Sequence, residues 1–505
     1  MSLLGIDVGT SGCKTAIYSI EGQRLASAYE EYDVQRPQPG WAELDAPRVW
    51  DQIQQTIHLA VREANQRWRR DPIQALCISS LGEAVVPVSA DRQILGPSLL
   101  NFDERGAEFL PRLRQVLADG RLFRINGNTL GNHYSLTKLL WLQRYQPRLF
   151  QRAKWFLHWS GLVSFMLGAE AAIDYSLANR TLLFDLEQKD WSEELPRLAQ
   201  LELSKLPPVV PSGSLIGEVS TQAAEGLGLP QGIPIISGGH DQCCSGVGCG
   251  VIQPGQAMYG IGTYICMMPV FAQRPEPEAM MAQGLNIEHH AAPGQMVSFI
   301  YNQGGVLVKW FRDTYAAADR DRAADRGGDV FTDLMAEMPK GASRVMALPH
   351  FTATGPPHFI SDSCGVIGGL YLDTPRGEIL KGLVEGTTFY LRECFEGLPD
   401  GITIADFRAC GGGSKSDAWL QTCADILGRP FHRTKVSEAG TLGAAILAGT
   451  GSGIFASLEQ GVSEMVGLER SFLPETEMQA IYTERFEKYR RFYPLVGAYL
   501  RELNH

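Results

Sequence analysis

An apolar strand, a Gly-Thr turn and a second apolar strand occur twice in this chain. The first copy is LLGIDVGTSGCKTAIYS, residues 3–19, and the second is QAMYGIGTYICMMPV, residues 256–270. Leu3, Leu4 and Ile6 suit a strand, as do Thr15, Ile17 and Tyr18. Gly9 and Gly12 bracket the break, so the two strands are joined by a tight turn. The second copy turns at Gly262 and Thr263. One such unit near the start of each half predicts two similar α/β domains with a cleft between them.

The first turn carries its own chemistry. Thr10, Ser11 and Gly12 leave N–H groups and hydroxyls unobstructed by bulk, and a concave cluster of donors suits a phosphate. Lys14 adds positive charge, and Asp7, at the end of the strand, stands where a metal ion or its water shell could be held. The loop is not a Walker A sequence, because Cys13 separates Gly12 from Lys14 and a strand follows. An ordinary hairpin with a salt-bridged Asp7 fits this stretch equally well.

Composition narrows the function classes. A length of 505 residues predicts several domains with ample core. The hydrophobic and charged fractions, 44% and 20%, are those of a soluble globular protein. A formal charge of −11 argues against nucleic acid as a partner. The basic run Arg67, Trp68, Arg69, Arg70 reads as a solvated helix end. The best membrane candidate, residues 162–173, is short and broken by Gly168 and Glu170, so no membrane partner is expected. The N-terminus has no basic start, and Asp7 falls inside its first apolar stretch, so the expected compartment is the cytoplasm. Ten cysteines in a chain this long do not suggest a disulfide scaffold. His240, Cys243, Cys244 and Cys249 match no common zinc spacing and read as packing residues.

Strands are expected at residues 3–8, 14–19, 73–80 and 233–237, with helices at 47–69 and 107–117 between them. The Gly-rich passage GVGCGVIQPG, residues 246–255, reads as a junction or hinge. The expected domains are therefore 1–250 and 251–505, with a helical terminal segment from about residue 475. There Met478, Ile481, Tyr482, Phe486, Tyr489, Phe492 and Tyr493 recur at helical spacing as a packing stripe.

Two further clusters bear chemistry. In IPIISGGHDQ a short apolar strand ends at Gly238, Gly239, His240, Asp241 and Gln242. A carboxylate in a cleft can take the proton from an attacking hydroxyl, although Asp before a helix is also a common N-cap. In FRACGGGSKSDAWLQTCADILGRP a strand leads through glycines 411–413 into a helix from about Asp417. Bare backbone there admits a flat ring or a phosphate.

The ordered set GIDVGTSGCK, RPQPGWAELDA, GGHDQ, GQAMYGIGT, QGGVLVKWFRD, ACGGGSKSDAWLQTCADILGRP and EAGTLGAAILAG resembles the FGGY family of carbohydrate kinases over residues 1 to about 495. The resemblance implies two actin-like, ribonuclease-H-like domains with ATP and sugar in the cleft between them. It implies that Asp7 acts on Mg2+, and that Thr10, Ser11, Gly12 and Lys14 surround the transferred phosphoryl group. Gly262 and Thr263 would meet phosphates, and Gly305 would sit near them. Gly411 and Gly412, with Ser416 or Asp417, would carry the adenosine. Asp241 would be the catalytic base.

The sugar positions depart from the patterns of the family's known branches. Leu81, Gly82, Glu83 and Ala84 stand where xylulose kinases have Gln-Met-His-Gly and glycerol kinases Gln-Arg-Glu-Thr. Asn101 and Phe102 depart from the usual residues, while Asp103 and Arg105 are kept. His133 and Tyr134 replace Gly-Phe or two aromatics, and Gln242 follows Asp241 as in glycerol kinases. A lining of Glu83, Asp103, His133, Tyr134 and Gln242 suits a neutral, hydroxyl-rich substrate and argues against a sugar acid such as gluconate. The expectation is an ATP-dependent kinase of a small ketose or polyol, xylulose kinase-like first, with glycerol, erythritol or ribulose as alternatives. A homodimer is left open. The rivals from other classes are a non-catalytic nucleotide switch of the actin or heat-shock ATPase type and a sugar-sensing pseudokinase.

Overall fold

The structure, a computed structural model, describes residues 1–67 and 71–503. Trp68, Arg69 and Arg70 of the basic run, and Asn504 at the end of the terminal helical stretch, lie outside the described residues. The chain forms two compact units.

The first unit is built on a six-stranded mixed sheet. Its order is Leu215–Glu218, Pro234–His240, Ile73–Ser80, Ser2–Val8, Gly12–Ser19, Arg24–Glu31. The Pro234–His240, Ile73–Ser80 and Ser2–Val8 strands run parallel, and the others are antiparallel to their neighbours. The parallel strands are near-continuous apolar runs because they are covered on both faces. Helix Ala46–Arg67 turns Val49, Ile53, Ile57, Ala60 and Ala64 inward at intervals of three and four. Each of its larger aliphatic side chains contributes about 1.5–3 kcal/mol by leaving water.

Helix Ala439–Gly451 packs along Ser2–Val8, Ile73–Ser80 and Pro234–His240, and against helix Asp241–Gly248. Its Gly and Ala content allows backbone to meet backbone. A Cβ at Gly443 would run into the Cys244 carbonyl, and one at Gly5 into that of Thr441.

The second unit repeats the hairpin-first design. Strands Gly255–Ile261 and Tyr264–Phe271 pair antiparallel. Gly255–Ile261 then runs parallel to Ile404–Cys410, which runs parallel to Phe431–Thr434. Ile300–Gln303 adds to Tyr264–Phe271, and Leu468–Phe472 adds to Phe431–Thr434, both antiparallel. The terminal stretch is two helices, Thr476–Arg490 and Phe492–Leu503. Tyr482, Phe486 and Tyr489 of its stripe are buried against Phe389 and Tyr390, whereas Ile481 is 40% exposed.

The units do not divide at one point of the chain. The first comprises Met1–Ile252, Asn286–Val297 and Glu438–Gly467; the second holds the remainder. A single cut near residue 250 therefore differs from this division at 286–297 and 438–467. The physical reason lies in the first unit's packing: helix Ala439–Gly451 fills the surface over its parallel strands.

Smaller expectations also shift. The helix expected at 107–117 is a 3₁₀ turn, Ala107–Phe109, followed by Leu110–Leu117 with Pro111 in its first turn. The apolar run at 162–173 holds only the end of helix Trp159–Leu167, which stops at Gly168 with φ of 133°. No helix among the described residues is long and apolar enough to cross a membrane. Cys243, Cys244 and Cys249 are buried, and burial holds the Cys243 and Cys244 thiols well above their ordinary range.

Candidate active site

Register in the first sheet brings the chemistry to one edge. Asp7 lies opposite Lys14 in the antiparallel pair and beside Ser79 in the parallel pair. His240, the residue before Asp241, lies beside Ser80. Asp7 and Asp241 thus stand at the C-terminal ends of two strands that flank Ile73–Ser80, the edge where open parallel sheets hold ligands.

Ser79 Oγ donates to Asp7 Oδ1 at 2.7 Å. Burial lifts the Asp7 carboxyl to about 6, against the lowering effects of Ser79 and Lys14 and with a small push from Glu438. A Cβ at Gly440 would come within 2.6 Å of Asp7 Oδ2, so only glycine leaves that oxygen its place. Lys14 is ion-paired with Glu438, and both side chains keep partial exposure.

The turn between the strands is pinned from beneath. Gly9 N donates to the Gly12 carbonyl at 2.9 Å, and Tyr32 N donates to the Ser11 carbonyl at 3.1 Å. The Tyr32 hydroxyl spans the Gly9 and Gly12 carbonyls at 2.5 and 3.0 Å. Thr10 is left half-buried and Ser11 exposed.

Asp241 opens helix Asp241–Gly248, with its side chain 29% exposed. Burial, then the Asp7 charge, and to a smaller degree Glu83 raise its carboxyl to about 7, while backbone and side-chain hydrogen bonds with Gln242 oppose the rise. His240 Nε2 lies 3.4 Å from Asp241 Oδ1. Burial and the Arg180 charge push His240 down to about 3, so the imidazole is neutral and the contact is not an ion pair. Backbone holds the strand end: Ser176 Oγ accepts from His240 N at 2.9 Å and donates to Asp174 Oδ2 at 2.5 Å.

Glu83 is buried and bound by Arg180, whose Nε donates to Glu83 Oε1 at 2.7 Å. Arg180 Nη1 also donates to Glu288 Oε1 at 2.6 Å, and the guanidinium lies 5.0 Å over the Tyr134 ring. Burial alone would raise Glu83, but the charge and hydrogen bonds of Arg180 outweigh it and hold the carboxyl below its ordinary value. Tyr134 donates to Asn128 Oδ1 at 2.8 Å, and the exposed His133 ring lies 4.0 Å from it. A Cβ at Gly82 would approach the His240 ring to 3.1 Å.

Asp103 is otherwise engaged. Its Oδ1 accepts from Arg105 N at 2.8 Å, and its Oδ2 from Ala42 N at 2.6 Å and Arg105 Nη2 at 2.7 Å. Arg105 in turn bonds Glu43 and lies 4.0 Å over Trp41. Asp103 therefore orders its own loop, and its oxygens are filled by the protein.

Among these neighbours, Arg180 and Glu288 escape a sequence reading. The Arg180 partners are 97 and 108 residues away along the chain. The only available signal was a charged residue in the largely apolar run 177–184.

In the second unit a cavity of about 830 Å³ is lined by Gly262, Thr263, Gly305, Gly412, Ser416 and Asp417. The hairpin turn docks on helix Gly305–Tyr315: Gly305 N donates to the Gly262 carbonyl at 2.9 Å and Val306 N to that of Thr263 at 3.0 Å. Gly411 has φ of 82°, and a Cβ there would meet the Ile261 carbonyl at 2.7 Å, so it shapes the turn beneath the cavity. A Cβ at Gly412 would meet nothing within 4 Å, which leaves that backbone open. Ser416 caps helix Asp417–Leu427 by accepting from Trp419 N at 3.2 Å. Asp417 is held by Arg433 at 2.7 Å and by Arg470. Lys309, Lys415, Phe331 and Trp419 also line the cavity and were not singled out from sequence.

The model of the FGGY family of carbohydrate kinases, N-terminal domain, matches residues 2–248, and that of its C-terminal domain residues 257–452. The xylulose kinase of Bacillus subtilis (strain 168) is 27% identical over 498 residues, covering 97% of this chain and 96% of that one. The autoinducer-2 kinase of Salmonella typhimurium is 28% identical over 520 residues, covering 97% and 94%. In fold, ligand-bound xylulose kinase from Lactobacillus acidophilus superposes with a TM-score of 0.86 at 22% identity over 99% of both chains. Plasmodium falciparum glycerol kinase with ADP does so at 0.85 and 21% over 97% of both. The two-domain actin-like fold and the two family matches together make this chain a member of the FGGY family of carbohydrate kinases, ATP-dependent phosphotransferases that act on a sugar or polyol.

Proposed function

We propose that this kinase transfers the γ-phosphoryl group of ATP to a hydroxyl of a small, uncharged ketose or polyol, in the manner of a xylulose kinase, with Asp241 as general base. The observation that carries the reading is geometric: Asp241 follows one strand and Asp7 ends another, on either side of Ile73–Ser80 at the same end of the sheet, with the Glu83–Arg180 pair adjoining His240; burial and the Asp7 charge raise the Asp241 carboxyl to about 7. A carboxylate poised near neutrality can accept the acceptor's proton as its oxygen attacks phosphorus; the oxygen–phosphorus bond forms, and ADP leaves with the electron pair of the broken one.

Thr10, Ser11 and Gly12 offer donors to the phosphoryl group in transit, and Lys14 supplies charge close by. In the second unit, Gly262, Thr263 and Gly305 suit phosphates, with Lys309 and Lys415 lining the same cavity, while Gly412 and Ser416 suit the adenosine. Mg2+ fits the residues present: Asp7 is a partly desolvated carboxyl with one side-chain donor, near a second carboxyl whose pKa it raises. Bound there, the ion supplies charge neutralisation for the phosphates.

Glu83, His133 and Tyr134 are the groups proposed to read the acceptor's hydroxyls. Arg180 sits between two carboxylates, so that wall carries no spare positive charge for a sugar acid. The kinetic test is ADP release from a panel of ketoses, polyols and sugar acids with ATP. A ketose or polyol with kcat/KM far above the others supports the reading, and a preference for an acid such as gluconate overturns it.

A further inference from the structure

The second unit contains another cavity, of about 1060 Å³, that shares no lining residue with the nucleotide pocket. Helices Arg376–Glu396 and Thr476–Arg490 and the loop at 350–362 enclose it. Two of its lining residues carry polar atoms that the fold does not use. His350 and Tyr489 are 2% and 3% exposed, and neither His350 Nδ1 nor Tyr489 Oη has a hydrogen-bond partner among the described residues. A hydroxyl and a ring nitrogen buried in this way cost free energy unless something in the cavity bonds them. Tyr390, by contrast, is satisfied by Thr354 Oγ1 and the Gly355 carbonyl, both at 2.8 Å.

The remaining lining defines the ligand. Tyr493 meets the His350 ring edge-on at 4.9 Å, and with Tyr390 and Phe486 it supplies aromatic surface. Three carboxylates line the cavity: Asp362, Glu393 and Glu396. Two have local cationic or hydrogen-bonding partners: Arg392 bonds Glu396 at 2.8 Å and His358 bonds Glu393 at 3.1 Å. Arg490 is drawn to Glu487 at 3.4 Å. The wall has no cluster of cations for a phosphate, and two of its three carboxylates are already engaged by Arg392 and His358. It offers carboxylate acceptors, one phenol donor, a neutral imidazole and aromatic faces. Hydroxyl groups, which donate and accept, satisfy that set, and the ring or chain between them packs on the aromatics.

We propose that this cavity is a second carbohydrate site, one that takes an uncharged sugar or sugar alcohol and holds it through Tyr489, His350 and Glu393.

Hydrogen exchange of the full chain tests it, with erythritol, xylitol, D-glucose and sucrose as probes at millimolar concentration. A non-hydrolysable ATP analogue is kept saturating so that nucleotide effects are constant. At least one probe is expected to protect amides at 350–362 and 486–494. Tyr489→Phe and Glu393→Gln should each weaken that protection by about tenfold in concentration. Tyr489→Phe should leave Tm and kcat unchanged, because its hydroxyl has no protein partner to lose. The proposal is overturned if none of the probes protects these segments, or if spermidine or glucose 6-phosphate protects them in place of the neutral sugars. It is also overturned if Tyr489→Phe lowers Tm while leaving probe protection intact.

Discussion

Asp241 is the residue on which the proposed chemistry turns. Asp241→Asn keeps the helix start and removes the basic oxygen, so turnover should fall by about 10²–10⁴-fold. Calorimetry should show ATP affinity nearly unchanged; more than half the wild-type turnover would take Asp241 out of the mechanism. The pH profile has a definite sign. A base works ionised, and burial together with the Asp7 charge raises this carboxyl to about 7. The kcat/KM should therefore decline as pH falls through about 7, and a profile level down to pH 5 would contradict the assignment. Glu83 offers the matching test on the substrate side. Glu83→Gln weakens a charge-assisted bond to buried Arg180, a loss of about 1–3 kcal/mol in stability. If Glu83 reads a substrate hydroxyl, the ratio of kcat/KM between the best acceptor and poor ones should also shrink; a ratio unaltered beside a lowered Tm would confine Glu83 to structure. Asp7 and Asp241 were legible in the sequence because each ends an apolar run beside glycines, a purely local pattern. Arg180 and Glu288 were not, because their meaning lies in a buried triad assembled from three distant stretches. Asp103 was legible as a kept residue, yet sequence could not say that Arg105 and Ala42 would occupy its oxygens.

Helix Ala439–Gly451 was legible as a close-packed, small-residue helix, but nothing local announced which strands it would cover. Its contact with the opening strand is what makes Gly440 informative. Gly440→Ala adds a methyl within 2.6 Å of Asp7 Oδ2, so the carboxylate or the helix must shift. Overpacking of this kind costs about 1–3 kcal/mol. The expected result is a large fall in kcat and altered Mg2+ dependence with a modest fall in Tm. Unchanged kcat would show that Asp7 tolerates displacement. The hairpins were the most legible elements, since alternation and turn residues settle them within a few positions. The terminal stripe was legible as helical, but not its break at Arg491, where the chain starts a second helix with Pro494 in its first turn.

At the scale of the whole chain, the residues proposed to read the acceptor belong to the first unit, and the cavity proposed to take the nucleotide belongs to the second. An ATP analogue alone should therefore protect amides near 262–263, 305–306 and 412–419 from exchange. The preferred acceptor alone should protect those near 81–84, 133–135 and 240–242. Protection of the second set by nucleotide alone, with none in the first, would reverse the assignment of sites. Two α/β halves were legible because the hairpin repeats. The return of residues 438–467 to the first unit was not, since a run of Gly and Ala packs on many surfaces equally well.

That return sets an order in time. A ribosome releases residues 1–252 long before it reaches Ala439, and at about 5–20 residues per second the delay is on the order of 10–40 s. Until then the parallel strands that carry Asp7 and Asp241 lack the helix that covers them, however completely the hairpin has formed. The unit that begins first at the N-terminus is thus finished only after most of the other, all but its last segment from Leu468, has been synthesised. Nascent chains halted before residue 439 should display apolar surface to chaperones that the completed chain hides.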